Sequence, residues 1–175
     1  MTINLSEIMS VKGQVKNIQA PFQLKSLTFE NMEYTVVSST PINLTLSHIG
    51  ERKVKIQGET KVSLLIPCNR CLKEVVVPFD IEFNKEFDFR TSDEDRIKEL
   101  DETNYLSEYD LDLDLLIYNE ILLDFPMKVL CQEDCKGICS NCGANRNNES
   151  CDCKENDLDP RMAAIQDIFN KFKEV

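Results

Sequence analysis

The sequence holds a single histidine, five scattered glycines and no apolar run long enough to cross a bilayer. Each scarcity removes a class of function. A catalytic zinc site built on histidines lacks its second histidine. His48 itself stands in a strand-like stretch beside a turn, which reads as an ordinary strand residue rather than the base of a triad. Without clustered glycines there is no loop to cradle a phosphate. The longest apolar runs, Val62 to Pro67 and Val75 to Phe79, are far too short for a membrane span. Met1 to Ser10 is mixed polar rather than basic and then apolar, so export is not expected.

Positive charge is also short. Lys and Arg number 20 against 31 Asp and Glu, a formal net charge of −11. Affinity for nucleic acid comes largely from phosphate neutralisation, so bulk electrostatics cannot supply it here. Contact with RNA needs a local basic patch, and the candidates are Arg52, Lys53, Lys55, Lys61, Arg70 and Lys73. The excess acid is concentrated: residues 93–114 carry ten acidic groups against Arg96 and Lys98. Like charges at this density favour an extended, solvated segment. That segment is a surface loop or an arm for a basic partner.

What the chain does have is apolar material, at 42% of residues, enough for one domain or one domain with a small module. From Pro41 the pattern alternates with period two. Ile42, Leu44 and Leu46 are followed by Val54, Ile56, Val62 and Leu64, then by Phe79, Ile81, Phe83, Phe87 and Phe89. Gly58 suggests a bulge or bend, and Pro78 an edge or kink. The first 40 residues read as irregular structure with short strands. A helix is expected over about 112–123, capped by Asp112 or Asp110 and stopped before Pro126. A second is expected after Asp159-Pro160, with Met162, Ile165, Ile168, Phe169 and Phe172 in one stripe that reads as core packing.

Cysteine is the abundant special residue, with eight in the chain. A chain without an export signal keeps its thiols reduced, so clustered thiolates point to metal rather than to a disulfide scaffold. Cys68-Asn69-Arg70-Cys71 falls between two expected strands, where a tight turn aims two sulfurs at one ion. Its amides can hydrogen-bond the thiolates, as in structural zinc knuckles. Cys139-Ser140-Asn141-Cys142-Gly143 is a second such knuckle. Cys151 and Cys153 follow it as a C-x-C pair, and Cys131 and Cys135 form a looser pair before it. Chain economy groups Cys139, Cys142, Cys151 and Cys153 into a local site, leaving Cys68, Cys71, Cys131 and Cys135 for a second that staples sheet to tail. The alternatives are one merged site using Cys68, Cys71 and two tail cysteines, an iron–sulfur cluster, or a redox dithiol. The last belongs at a helix N-terminus, whereas Cys68 lies between strands. Two filled zinc sites would add about −4 to the charge, so they do not relieve the acidity.

Taken together, Cys68-Asn69-Arg70-Cys71-Leu72, the LDLLIYNEILLDFP stretch, the cysteine block and Asp159-Pro160-Arg161 resemble the YceD family of large ribosomal RNA subunit accumulation proteins, in a cysteine-rich form. The likeness runs from about Ile42 to Phe172. The family motif C-G-x-N-L-N reads here Cys142-Gly143-Ala144-Asn145-Arg146-Asn147. The resemblance implies a non-enzymatic cytoplasmic role in making or maintaining large-subunit RNA, with precursor rRNA or a ribosomal protein as partner and no small-molecule substrate.

The expected fold is α+β: an antiparallel sheet or partly closed barrel with a covering helix, a small cysteine-rich zinc module and a short C-terminal helix. The expected divisions are a β domain over 1–92, an acidic linker or arm over 93–111, the covering helix over 112–126, the zinc module over 127–158 and the last helix over 159–175. One or two zinc ions are expected.

Overall fold

The computed structural model describes residues 1–90 and 104–153. The core of its architecture is a long hairpin. Strand β6 (Lys53–Pro67) and strand β7 (Glu74–Asp88) pair antiparallel along their whole length, from Lys53↔Asp88 to Pro67↔Glu74. The other edge of β6 is shared. Strand β5 (Ile42–Gly50) pairs with its first half, and strand β4 (Met32–Ser39) with its second. Strand β2 (Val15–Ala20) extends the sheet beyond β5, and strand β3 (Ser26–Phe29) extends it beyond β4.

The period-two pattern sets the inner face. Ile42, Leu44 and Leu46 of β5, Val54, Ile56, Val62, Leu64 and Ile66 of β6, and Phe79, Ile81, Phe83 and Phe87 of β7 are all buried. At Gly58 the ladder is continuous, pairing with Leu44 on one side and Phe83 on the other, so there is no bulge. The glycine is there for a different reason: a Cβ at this position would overlap the Phe83 ring, which lies across it. The register shifts come instead between Val36 and Ser38 and between His48 and Gly50. Pro78 stands in β7, whose second edge has no paired strand among the described residues, as a residue without an N–H requires.

A smaller three-stranded sheet has β9 (Asp110–Asp112) in its centre, between β1 (Thr2–Asn4) and β8 (Leu106–Ser107). A short helix, α1 (Ser6–Met9), buries Ile8. Helix α2 (Leu113–Leu123) starts as its sequence dictates: the Asp112 carboxylate accepts from the backbone N–H of Asp114 and of Leu115. It buries Leu113, Leu116, Ile117 and Ile121. Glu120 pairs with Lys85 of β7 at 2.9 Å, and the Tyr118 hydroxyl donates to the Thr28 carbonyl at 2.8 Å. Past the helix, the Phe125 ring meets Phe29, Tyr34 and Phe79.

This corrects the expected α+β class. Among the described residues the structure is mostly β, with 48% of them in strands and 11% helical, and their open antiparallel sheets form neither a barrel nor a sheet under a helical layer. Two stretches account for the difference. Residues 15–39, read as irregular structure with short strands, form β2, β3 and β4. Residues 106–112, read as the end of an acidic linker and the start of a helix, form β8 and β9 against β1. Their pairing is held by backbone bonds, such as Leu5 N–H to the Tyr109 carbonyl at 2.8 Å, which side-chain periodicity does not reveal. Residues 93–103 of the acidic stretch and the expected C-terminal helix over 159–175 lie outside the described residues. No helix among the described residues is long and apolar enough to cross a membrane.

Candidate metal centres

The turn between β6 and β7 is built by its own backbone. The Cys68 N–H donates to the Lys73 carbonyl at 2.8 Å, and the Leu72 N–H to the Cys68 carbonyl at 3.0 Å. Leu72 takes a left-handed conformation, φ 61°, to close the turn. The Arg70 N–H points at the Cys68 sulfur, 3.5 Å away. This is the amide-to-thiolate arrangement expected of a knuckle.

A second segment is then brought in. Asn69 holds residue 129 twice: its N–H donates to the Val129 carbonyl at 2.9 Å, and its side-chain oxygen accepts from the Val129 N–H at 2.6 Å. That registers the following loop so that Cys131 and Cys135 reach the knuckle. The sulfurs of Cys71 and Cys131 are 3.5 Å apart, and those of Cys68 and Cys135 are 3.9 Å apart. All four lie within 4.8 Å of one another. A tetrahedral ion with metal–sulfur bonds of about 2.3 Å needs sulfur–sulfur edges of about 3.8 Å. The inner tetrad therefore has the size of one ion, too small to enclose a multi-iron cluster. It is also buried: Cys68 is 0% exposed, Cys135 2% and Cys71 6%.

The outer tetrad is local. The Gly143 N–H donates to the Cys139 carbonyl at 2.9 Å, and the Cys139 N–H to the Ala144 carbonyl at 2.8 Å. Gly143 turns the chain back at φ 76°. The sulfurs of Cys139, Cys142, Cys151 and Cys153 again fall within 4.8 Å of one another. Here Cys139 is buried, Cys151 and Cys153 are half-buried, and Cys142 is exposed. All eight cysteines are free thiols.

The electrostatics of both tetrads suit a cation. Burial opposes ionisation of Cys68, yet amide hydrogen bonds from Arg70 and Cys71 outweigh it and bring the thiol down to about 6. Burial and the Cys71 thiol push Cys131 up to about 12. The outer tetrad repeats the division. Amides of Cys142 and Asn141 lower Cys139 to about 6, and hydrogen bonds with Cys142 and Cys139 raise Cys153 to about 12. Four thiolates this close cannot all ionise unless a positive charge sits among them.

The two tetrads are tied together by residues other than the cysteines. Asn147 donates its side-chain amide to the Cys135 sulfur at 3.3 Å and accepts from the Lys136 N–H at 2.8 Å. The Ile138 N–H donates to the Arg70 carbonyl at 3.0 Å. Gly137 lies so close to that carbonyl that a Cβ would approach it to 3.0 Å, in a backbone with φ 76°. The asparagines of N-R-N-N are the signal that could have pointed to this role, since amide side chains next to thiolates donate to them.

The six basic candidates are not brought together. Arg70 and Lys73 stand at the knuckle end of the β6–β7 hairpin, and Arg52 and Lys53 at the other end, roughly 45 Å away along a strand of this length. Lys53 pairs with Asp88 at 3.4 Å and Lys61 with Asp80 at 2.7 Å. Arg52 donates to the Tyr109 hydroxyl at 2.9 Å. Lys55 sits between Ser47 and Glu86 in the ladder. Arg70 folds back onto the inner tetrad, donating to the carbonyls of Cys135 at 2.8 Å and Glu133 at 3.4 Å.

Comparison with known proteins extends these observations. The Bacillus subtilis (strain 168) protein YlbN is 28% identical over 153 residues, covering 87% of each chain. The Mycobacterium tuberculosis (H37Rv) protein Rv2926c is 26% identical over 116 residues, 66% of this chain and 56% of that one, so the chain spans about half the length of this relative. A chloroplast large ribosomal RNA subunit accumulation protein YCED homolog of Arabidopsis thaliana is 26% identical over 65 residues, 37% of this chain and 20% of that one. None of these names describes an enzyme, and no solved structure matches. A family model described as large ribosomal RNA subunit accumulation protein YceD matches residues 56–169, a span that takes in the long hairpin from Ile56, helix α2 and both cysteine tetrads. The chain belongs to the YceD family.

Proposed function

We propose that this protein is a non-enzymatic ribosome-biogenesis factor that supports the accumulation or processing of large-subunit ribosomal RNA in the cytoplasm, with one zinc ion at each cysteine tetrad. The observation that carries the role is the family match, which runs through both tetrads. Zinc is supported by the donor set: four sulfurs at the edge length of a single tetrahedral ion, with amides donating to the thiolates. The inner ion is structural. It joins the β6–β7 turn to a loop some 60 residues further along the chain, which otherwise rests on the bonds from Asn69 and Arg70. The outer ion closes the loop 139–153. Cys68, Cys71, Cys131 and Cys135 hold the first, and Cys139, Cys142, Cys151 and Cys153 the second.

The partner contact has two readings. In one, precursor rRNA is touched directly near Arg70 and Lys73. In the other, the acidic chain holds a basic ribosomal protein and makes no RNA contact. Carboxylates beside Lys53 and Lys61 favour the second, because they offset the local positive charge that phosphate contact along the hairpin would use.

The experiment is a strain lacking the gene, complemented with wild type or with Cys68→Ser. The reading expects a fall in the ratio of 23S to 16S rRNA without the gene, restored by wild type alone. An unchanged ratio in the deletion strain contradicts it. Copurification of a ribosomal protein that survives ribonuclease supports the adaptor; affinity for a 23S fragment that falls steeply with salt supports direct contact.

A further inference from the structure

The two tetrads use the same four-cysteine chemistry in opposite surroundings. The inner one is largely closed: Cys68, Cys71 and Cys135 are buried, Cys131 is half-buried, and its knuckle is held by the β6–β7 ladder, by Asn69 and by Arg70. The outer one is open. Cys142 is exposed at the tip of its knuckle, and Cys151 and Cys153 are half-buried. The last two lie in chain without strand or helix, within 4.8 Å of the exposed sulfur. Oxidation of a thiolate follows its exposure. A disulfide then needs backbone freedom to bring two sulfurs from contact distance to about 2.05 Å. The outer tetrad has both, whereas the inner one has no exposed sulfur and a knuckle fixed by the β6–β7 ladder.

Resting on the zinc reading above, we propose that the outer tetrad is a peroxide-sensitive release site, which gives up its ion while the inner tetrad keeps its own. The Cys142 thiolate attacks one oxygen of a peroxide, breaks the O–O bond and becomes a sulfenic acid, with hydroxide leaving. The thiolate of Cys151 or Cys153 attacks that sulfur, forms the S–S bond and expels a second hydroxide. The two sulfurs lose two electrons, the peroxide gains two, and two solvent protons turn the hydroxides into water. Two thiolates remain at the site, too few to hold the ion, which leaves. The loop 139–153 then loses its metal closure, while the β6–β7 turn stays joined to Cys131 and Cys135.

The test uses the full chain, purified without an affinity metal and titrated with hydrogen peroxide. Zinc in solution is followed with a chromogenic indicator, and thiols are mapped by alkylation and mass spectrometry. The expected result is two zinc ions per chain before oxidation and one released. Cys142 is then found in a disulfide with Cys151 or Cys153, and Cys68, Cys71, Cys131 and Cys135 are recovered as thiols. Cys142→Ser is expected to carry one ion firmly and to release none over the same range. Loss of both ions together, loss of neither, or a disulfide within the inner tetrad overturns the inference and leaves the zinc reading standing. A protein that carries no zinc before peroxide is added overturns both.

Discussion

The Arg70 guanidinium, carried between the two cysteines of the first knuckle, donates to the carbonyl oxygen of Cys135 at 2.8 Å. The residue in the turn thus grips the backbone of the loop that supplies the other half of the tetrad. Arg70→Ala is expected to lower stability by about 1.5 to 3 kcal/mol, the range for a hydrogen bond with a charged group. It is also expected to speed loss of one zinc ion to a chelator. Urea unfolding and zinc release measured side by side check this; unchanged release places the contact outside the site's support.

Asn147 gives a second handle on the same tetrad. Its amide reaches the Cys135 sulfur from within the outer loop. Replacing Asn147 with Ala removes that donor, and the expected outcome is faster loss of the inner ion, since removal of such outer-shell groups typically costs ~10–100-fold in metal affinity. Replacement with Asp, which cannot donate when ionised, is expected to act in the same direction. Competition with a zinc chelator of known affinity measures it.

Gly58 lies under the Phe83 ring in the long hairpin. Gly58→Ala is expected to destabilise by about 1 to 3 kcal/mol, because a methyl group there forces a buried ring to move. Combining it with Phe83→Leu is expected to cost less than the sum of the two changes. Additive effects in denaturant unfolding would show that the ring and the glycine are not coupled.

Asp88 has its carboxyl held well below the usual range, chiefly by the Arg90 guanidinium, with the Arg90 N–H and Lys53 adding to it. A depressed carboxyl adds stability above its unfolded value, near 3.9, and loses it as pH falls through the folded value. The stability difference between wild type and Asp88→Asn is therefore expected to be present at pH 6 and to shrink towards pH 3. Both proteins carry the same cysteines, so acid effects on the thiolates cancel in the comparison. A difference that is flat across this range contradicts the account.

How much of this was legible in the residues depends on which force fixes each part. The inner face of β5, β6 and β7 was readable because apolar side chains alternate there with period two. Asp112 marked the start of α2 because its carboxylate has two amide donors to satisfy. The cysteine spacing suggested two groups of four because knuckles and a C-x-C pair close short loops. Residues 106–112 were not legible as strands. They carry a dense acidic pattern, and their pairing with residues 2–4 is a long-range backbone contact with little side-chain signature. Gly58 suggested a bulge because a glycine in a strand has several causes, and only the partner strand reveals the Phe83 ring. The basic residues looked like one patch in sequence, but a long hairpin carries them to opposite ends and sets carboxylates beside Lys53 and Lys61.

Elemental analysis of the full chain, purified without an affinity metal, tests the central claim most directly, with a thermal melt recorded before and after a strong chelator. The account predicts two zinc ions per chain and a lower melting temperature once they are removed. A protein with no bound metal, whose melt the chelator leaves unchanged, would contradict it.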